Sequence, residues 1–158
     1  PIPSVYAIWV ADCVPMFFWN ERGTVFGLAH IGWRGAAQQF AAKFVEKMRK
    51  EGISNKDMRI AVGPHIHSCC YPVGPEVAQQ FPYSSLICKG DNIFLDLSQE
   101  LIRQIDGCGI SLEHLSISEA CTSCRSDEFF SYRRDKSDLR MMAFIASRGD
   151  RGQGLGVS

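Results

Sequence analysis

Apolar positions along the chain recur with two different periods. Val5 to Val10 and Val14 to Trp19 are short, aromatic-rich apolar runs, and Thr24 to Ile31 continues the pattern after a turn at Asn20-Glu21-Arg22-Gly23. Such runs, bounded by turn residues, read as buried strands. Three in succession with tight connections predict a β-meander or sheet edge, because parallel pairing needs a longer crossover. The period then changes. Ala37, Phe40, Ala41, Phe44, Val45 and Met48 recur at three- and four-residue steps, with Gln38, Gln39, Lys43, Glu46 and Lys47 opposite them. That spacing predicts one amphipathic helix. Gly35 opens it, the basic Lys47, Arg49 and Lys50 suit its negative end, and Gly52 stops it.

Met58 to Val62 reads as a strand running into Gly63-Pro64, and Pro75 suits the first turn of a short helix carrying Val77 and Phe81. A second long helix is expected from Leu97 to Ile105, with Asp96 as N-cap, Gln99 in capping-box position and Gly107 at its end. Leu115 to Ser118 and Met141 to Ala146 complete the strands. The order β-β-β-α-β-α-α-β-β clusters strands and helices, and predicts an α+β chain of packed layers rather than a doubly wound sheet. No repeat or linker divides it, so residues 1–147 read as one domain. From Arg148 the chain carries Gly149, Gly152, Gly154 and Gly156, and residues 148–158 read as a mobile tail.

Composition narrows the partners. The 158 residues hold 17 Lys and Arg against 17 Asp and Glu, so no electrostatic attraction to nucleic acid or an anionic membrane is expected. The longest apolar run, Val14 to Trp19, is interrupted by Pro15 and is too short to span a bilayer. No basic-then-apolar leader opens the chain. Without an export signal, the 7 cysteines are expected to be reduced thiols of a cytoplasmic protein. Cys88, after Leu86-Ile87, and Cys108, between two glycines, read as packing residues.

The other thiols lie in richer company. Cys13 stands at a strand start in Ala11-Asp12-Cys13, and His30 at a strand end in His30-Ile31-Gly32-Trp33-Arg34-Gly35. On adjacent strands the two can meet. Such a pair serves as two zinc ligands of an open site, as a nucleophile with its base, or as a buried thiol beside a core histidine. The strand-to-helix passage after His30 offers backbone N–H groups to an anion, and Arg34 adds a bidentate donor for phosphate or for a structural carboxylate. His65 and His67 share a face if extended, as a two-His metal site or as solvated loop positions. Vicinal Cys69 and Cys70 point opposite ways in an extended chain, so only one is expected to face a given site. Cys121-Thr122-Ser123-Cys124 is redox-active, or half of a zinc knuckle whose second pair is missing, since Cys69-Cys70 lacks the two-residue gap. Phe129-Phe130-Ser131-Tyr132-Arg133-Arg134 sets aromatics beside two guanidiniums, for a flat base with its anion or as a packed strand with exposed arginines.

Together, Ala11-Asp12-Cys13-Val14-Pro15, His30 to Gly35, Gly63-Pro64 through Cys69-Cys70-Tyr71-Pro72-Val73-Gly74, Cys121-Thr122 and Phe129 to Arg134 occur in the order found in the YfiH family. It is also called the laccase-domain or multicopper polyphenol oxidase family, and the chain resembles it from about Tyr6 to Ile145. The resemblance implies a layered α/β sandwich grouped with a bacterial toxin's cysteine-hydrolase domain. It also implies a zinc site and purine nucleoside chemistry: phosphorolysis of adenosine, inosine, guanosine and methylthioadenosine, and adenosine deamination. Older family descriptions imply copper-dependent phenol oxidation, and some members are described as editing a wrongly built muramyl–amino-acid precursor of peptidoglycan. The family's metal is held by a His of an upstream Q-V-H-type segment, the Cys of A-D-C and the His of H-x-G-W. The last two fall on Cys13 and His30. The first has no counterpart, the family's N-terminal portion being absent from this sequence. Leu139-Arg140-Met141 stands where the family has Gly-Arg-Met.

On this resemblance the chain is expected to be a zinc enzyme, a transferase or hydrolase, acting on a small nucleoside and phosphate. No nucleic-acid or membrane partner is expected, and the oligomeric state is left open. Cys13 and His30 are the implied metal ligands and, with Arg34, the catalytic set; Trp33, Tyr71, Phe130, Arg133 and Arg134 are the expected substrate-binding residues. One rival is a cysteine hydrolase or amidase with Cys13 as nucleophile and His30 as base. Copper-dependent laccase chemistry is the other, and it needs a His-rich ligand set where this chain has 4 histidines in all.

Overall fold

Residues 4–147 are described by a computed structural model, and the tail expected from Arg148 lies outside the described residues. The strands are β1 (Val5–Val10), β2 (Val14–Asn20), β3 (Phe26–Ile31), β4 (Met58–Val62), β5 (Pro72–Val73), β6 (Leu86–Lys89), β7 (Asn92–Leu95), β8 (Leu115–Ile117) and β9 (Met141–Ala146). The helices are α1 (Trp33–Ala37), α2 (Phe40–Lys50), α3 (Pro75–Ala78), α4 (Leu97–Gly107) and α5 (Tyr132–Asp135). The expected α+β character holds, with three sheets ordered β3-β2-β4-β8, β1-β9 and β5-β7-β6.

Alternation builds the main sheet. Val14, Met16 and Phe18 on β2 and Met58, Ile60 and Val62 on β4 are buried on one face, with Met16 opposite Val62 and Phe18 opposite Ile60. α2 and α4 cover that face through Val45, Leu97, Leu101 and Ile105, and the Phe44 ring stacks on Phe18 at 3.8 Å. β8 joins β4 in parallel, a pairing made possible by the long crossover through α4.

Three expectations need correction. The first concerns β1, which pairs antiparallel with β9 rather than with β2, so the meander is only the β2–β3 hairpin. Its register sets Val5, Ala7 and Trp9 on the same face as Met142, Phe144 and Ala146, all exposed. A continuous apolar run has no period by which to tell a one-sided ribbon from a buried strand. The second is the long helix, which breaks at Gln39, whose φ is 59°. Gln104 of α4 splints the gap: its Nε2 donates to the Ala36 carbonyl (2.8 Å) and its Oε1 accepts from the Ala41 N–H (3.2 Å). Third, Cys88 is exposed on the β6–β7 hairpin, which turns at Gly90 with φ 57°, and is no packing residue. Cys108 does pack against the core.

The sheet's directions gather function-bearing loops at one end. β2 starts where β3, β4 and β8 finish, so the β1–β2 turn and the segments after Ile31, Val62 and Ile117 meet there.

Candidate active site

Asp12 anchors this end of the sheet. It adopts φ 76°, a left-handed conformation that costs a non-glycine residue free energy and that tertiary contacts must hold. Those contacts are present. Oδ1 accepts from the Thr122 hydroxyl (2.7 Å), Oδ2 from the Arg133 N–H (2.6 Å), and the Asp12 carbonyl from the Ile66 N–H (3.0 Å). One buried residue thus ties the Cys13 turn to the loops that carry Cys69 and Cys70, and Cys121 and Cys124.

Cys13, in the turn just before β2, and His30, on β3, are brought to one end of neighbouring strands, the arrangement under which the two can meet. Val14 pairs with Ile31 and Pro15 with His30, so the thiol and the imidazole flank the Val14–Ile31 pair diagonally. The Cys13 sulfur lies against Gly32, 3.0 Å from where a Cβ would stand. Burial and the Asp12 carboxylate push the Cys13 thiol above its ordinary pKa, against the opposing charge of Arg140. His30 is exposed, but partial desolvation of the ring holds its pKa below the usual imidazole value, so at neutral pH it is an uncharged donor. Gly32 has φ −86°, which any residue adopts, so only the thiol contact restricts it. Gly32→Ala is expected to cost about 1–3 kcal/mol through overpacking and to change the alkylation rate of Cys13. Urea denaturation and mass-mapped iodoacetamide labelling measure both, and no change in either contradicts the contact.

Tyr71 is buried beneath Arg133, whose guanidinium lies 4.9 Å from the ring centre and donates to the Pro72 carbonyl (2.8 Å). Burial and the nearby Cys13 push its hydroxyl up to about 12, with Arg133 opposing. Arg140, next to the departure from the family's Gly-Arg-Met, thus has its charge within reach of the thiol. It was not foreseen as a site residue, and neither were Asp12 and Thr122, although both stand inside quoted motifs.

The other expected residues stand as follows. Arg34 stacks on Trp33 at 4.4 Å, and α1 has only five residues, too short to present a developed helix dipole to an anion. Arg134 spends its guanidinium on the Thr122, Ser123 and Phe129 carbonyls and on Asp135, which makes it a brace for the loop. Phe130 is exposed, whereas Phe129 lines an apolar cavity of about 340 Å³ with Pro15, Phe17, Pro64 and Phe144. The two-His metal reading at His65 and His67 fails. His65 is fully buried, its Nδ1 donating to the Gly63 carbonyl (2.9 Å) and its Nε2 meeting Ser98 Oγ (2.8 Å), and burial lowers its pKa to about 4. Vicinal Cys69 and Cys70 were expected to diverge, yet a turn directs both toward Cys124.

A turn-borne cysteine diagonal to a histidine, at the end of an α+β sheet and latched by a buried aspartate, defines a class of site. Residues 3–148 match the family described as multi-copper polyphenol oxidoreductase laccase, and the chain belongs to that family, the YfiH family. It is 38% identical over 152 residues to the purine nucleoside phosphorylase YlmD of Geobacillus stearothermophilus, covering 90% of this chain and 56% of that protein. Against the purine nucleoside phosphorylase YfiH of Escherichia coli it is 33% identical over 149 residues, covering 90% and 59%. The crystal structure of Geobacillus stearothermophilus YlmD superposes with a TM-score of 0.85 at 35% identity, covering 92% of this chain and 57% of that one. The Bacillus licheniformis YfiH structure gives 0.84 at 34% identity, covering 91% and 58%. The chain therefore spans a little over half the length of these relatives.

Proposed function

We propose that this chain carries the nucleoside-processing centre of a purine nucleoside phosphorylase. Relatives of that name at up to 38% identity among those above support the reading. The single observation that carries it is the Cys13 thiol seated on Gly32 and diagonal to His30. A thiol and a neutral imidazole are a zinc donor pair, and Cys13 and His30 would hold two ligand positions of that ion. No third His, Cys, Asp or Glu gathers with them among the described residues. Bound there, zinc would supply a Lewis acid.

The chain's own residues do the rest. Arg133 and Arg140 bring positive charge to the Cys13 side and would hold phosphate. The apolar cavity bordered by Pro15 and Phe129 would receive the purine, excluding water from the reacting bond. A phosphate oxygen then bonds to the anomeric carbon as the bond to purine nitrogen breaks, and the base leaves with the electron pair and takes up a proton. Adenosine, inosine, guanosine and methylthioadenosine share the bond that breaks, and adenosine deamination is the companion activity.

The Cys13 environment favours a metal donor over a cysteine nucleophile. Burial and Asp12 raise the Cys13 pKa, which opposes the free thiolate a nucleophile needs, whereas a bound zinc ion would itself supply the charge that deprotonates its ligand. Copper oxidation has weaker support, since one of the four histidines is locked by Gly63 and Ser98. The test is the kinetics of Cys13→Ala and His30→Ala with inosine and phosphate. Each is expected to lower kcat/KM by roughly 100-fold or more, with a zinc chelator acting like either substitution. Retained activity in both variants would dismiss the proposal.

A further inference from the structure

Cys69 and Cys70, in the turn before β5, and Cys121 and Cys124, in the loop after β8, have sulfur atoms that all lie within 4.8 Å of one another. Cys69 and Cys124 are 3.5 Å apart, and Cys70 and Cys124 3.4 Å. Four thiolates on a tetrahedral zinc with Zn–S bonds of about 2.3 Å sit about 3.8 Å from each other. Those two separations match that edge to within a few tenths of an ångström, the 4.8 Å bound on the other four pairs leaves room for the same ion, and both are far longer than the roughly 2.05 Å of a disulfide.

The backbone builds this geometry from both sides. The Cys121 carbonyl accepts from the Cys124 N–H (3.2 Å) and the Arg125 N–H (3.1 Å), a tight turn that aims both thiols of the C-x-x-C the same way. The Cys121 sulfur in turn accepts a backbone hydrogen bond from the His67 N–H (3.5 Å). Across from it, the Cys70 N–H donates to the His67 carbonyl (3.0 Å). This turn overrides the divergence of adjacent side chains that extended backbone imposes. Arg134, ion-paired with Asp135, braces the Thr122 and Ser123 carbonyls between the two ligands of the loop. Cys69 and Cys124 are exposed, which leaves a path for the ion.

We propose that Cys69, Cys70, Cys121 and Cys124 form a structural tetrathiolate zinc site, separate from the Cys13–His30 pair. Zinc replaces the thiol protons, which pass to solvent, and no oxidant takes part. The site clamps the two loops that latch Asp12: Ile66 precedes Cys69 by three residues, and Thr122 follows Cys121 directly. Metal there holds the Cys13 turn in place without touching substrate.

The experiment measures metal in a Cys13→Ala/His30→Ala double variant, purified with zinc and a reductant, so that the other donor pair contributes nothing. One zinc per chain is expected. Cobalt in its place is expected to give the intense visible bands and thiolate charge transfer of a tetrathiolate site. Adding Cys124→Ser, a change at an exposed position, should remove both signals while the far-ultraviolet circular dichroism persists. In the unsubstituted chain, zinc should protect Cys69, Cys70, Cys121 and Cys124 from N-ethylmaleimide and leave Cys88 open, a readout that depends on no variant folding. A reduced double variant without zinc, zinc retained after Cys124→Ser, or disulfides among these four residues in protein kept under reductant would each overturn the proposal.

Discussion

Asp12→Ala is expected to destabilise the chain by about 3 kcal/mol and to remove with it the nucleoside-processing activity proposed above. The carboxylate accepts from the Thr122 hydroxyl and the Arg133 N–H. Removing it strands two donors at a site where Asp12 is only 8% exposed. A buried unpaired donor costs about 1–3 kcal/mol. The backbone adds a finer test, because φ at Asp12 is 76°. Asp12→Gly loses the same hydrogen bonds but relieves the left-handed conformation, and should be about 1 kcal/mol less damaging than Asp12→Ala. Urea denaturation of the two variants reads that difference. Equal losses would mean that the backbone strain is not borne at this residue.

Glu100→Ala should cost a similar amount, about 2–4 kcal/mol from the buried donors it leaves unpaired, for a different reason. The Glu100 side chain is fully buried and pairs with Arg103 at 2.6 Å. It also accepts from Ser85 (2.7 Å) and Gln104 (2.7 Å). Truncation strands the buried Ser85 hydroxyl and loosens Gln104, which splints the Ala36–Ala41 break, while the part-exposed Arg103 keeps its bond to Gln39 Oε1 (3.2 Å) and meets solvent. The same carboxylate carries a pH signature. Burial alone would raise its pKa, but Arg103, Gln104 and Ser85 together hold it below the ordinary carboxylate value. A depressed folded pKa contributes stability that is complete above the unfolded value, about 4.3, and is lost as pH falls through the folded one. Wild-type stability should therefore decline below about pH 4.3, and Glu100→Gln should flatten that part of the profile. A Glu100→Gln profile parallel to wild type would place the acid sensitivity elsewhere.

What the sequence disclosed about fold and site follows a physical divide. Strands with clean alternation, such as Met58–Val62, and a helix with a self-evident cap, such as Asp96 accepting from the Gln99 N–H at 2.9 Å, were legible because their determinants are local. The break at Gln39 was not. Its apolar spacing runs through unbroken, and the groups that satisfy the gap come from Gln104, more than sixty residues later. The partner of β1 was hidden for the same reason, since pairing with β9 is a property of the whole chain. At the site, Cys13 precedes the start of β2 and His30 lies near the end of β3, and the β2–β3 register sets them diagonally. Asp12 was passed over because its role comes from a positive φ and from partners at Thr122 and Arg133, none of which spacing reveals. The convergence of four cysteines is not legible in sequence, because adjacent side chains diverge in extended backbone whereas Cys69 and Cys70 sit in a turn.

The purine nucleoside reading stands or falls most directly on phosphorus NMR of the zinc-supplied chain incubated with inosine and inorganic phosphate. Ribose 1-phosphate is the predicted product, formed in step with hypoxanthine and lost in Cys13→Ala. Hypoxanthine released without a sugar phosphate, ribose 1-phosphate formed equally well by Cys13→Ala, or no product from the folded, zinc-supplied chain would contradict it.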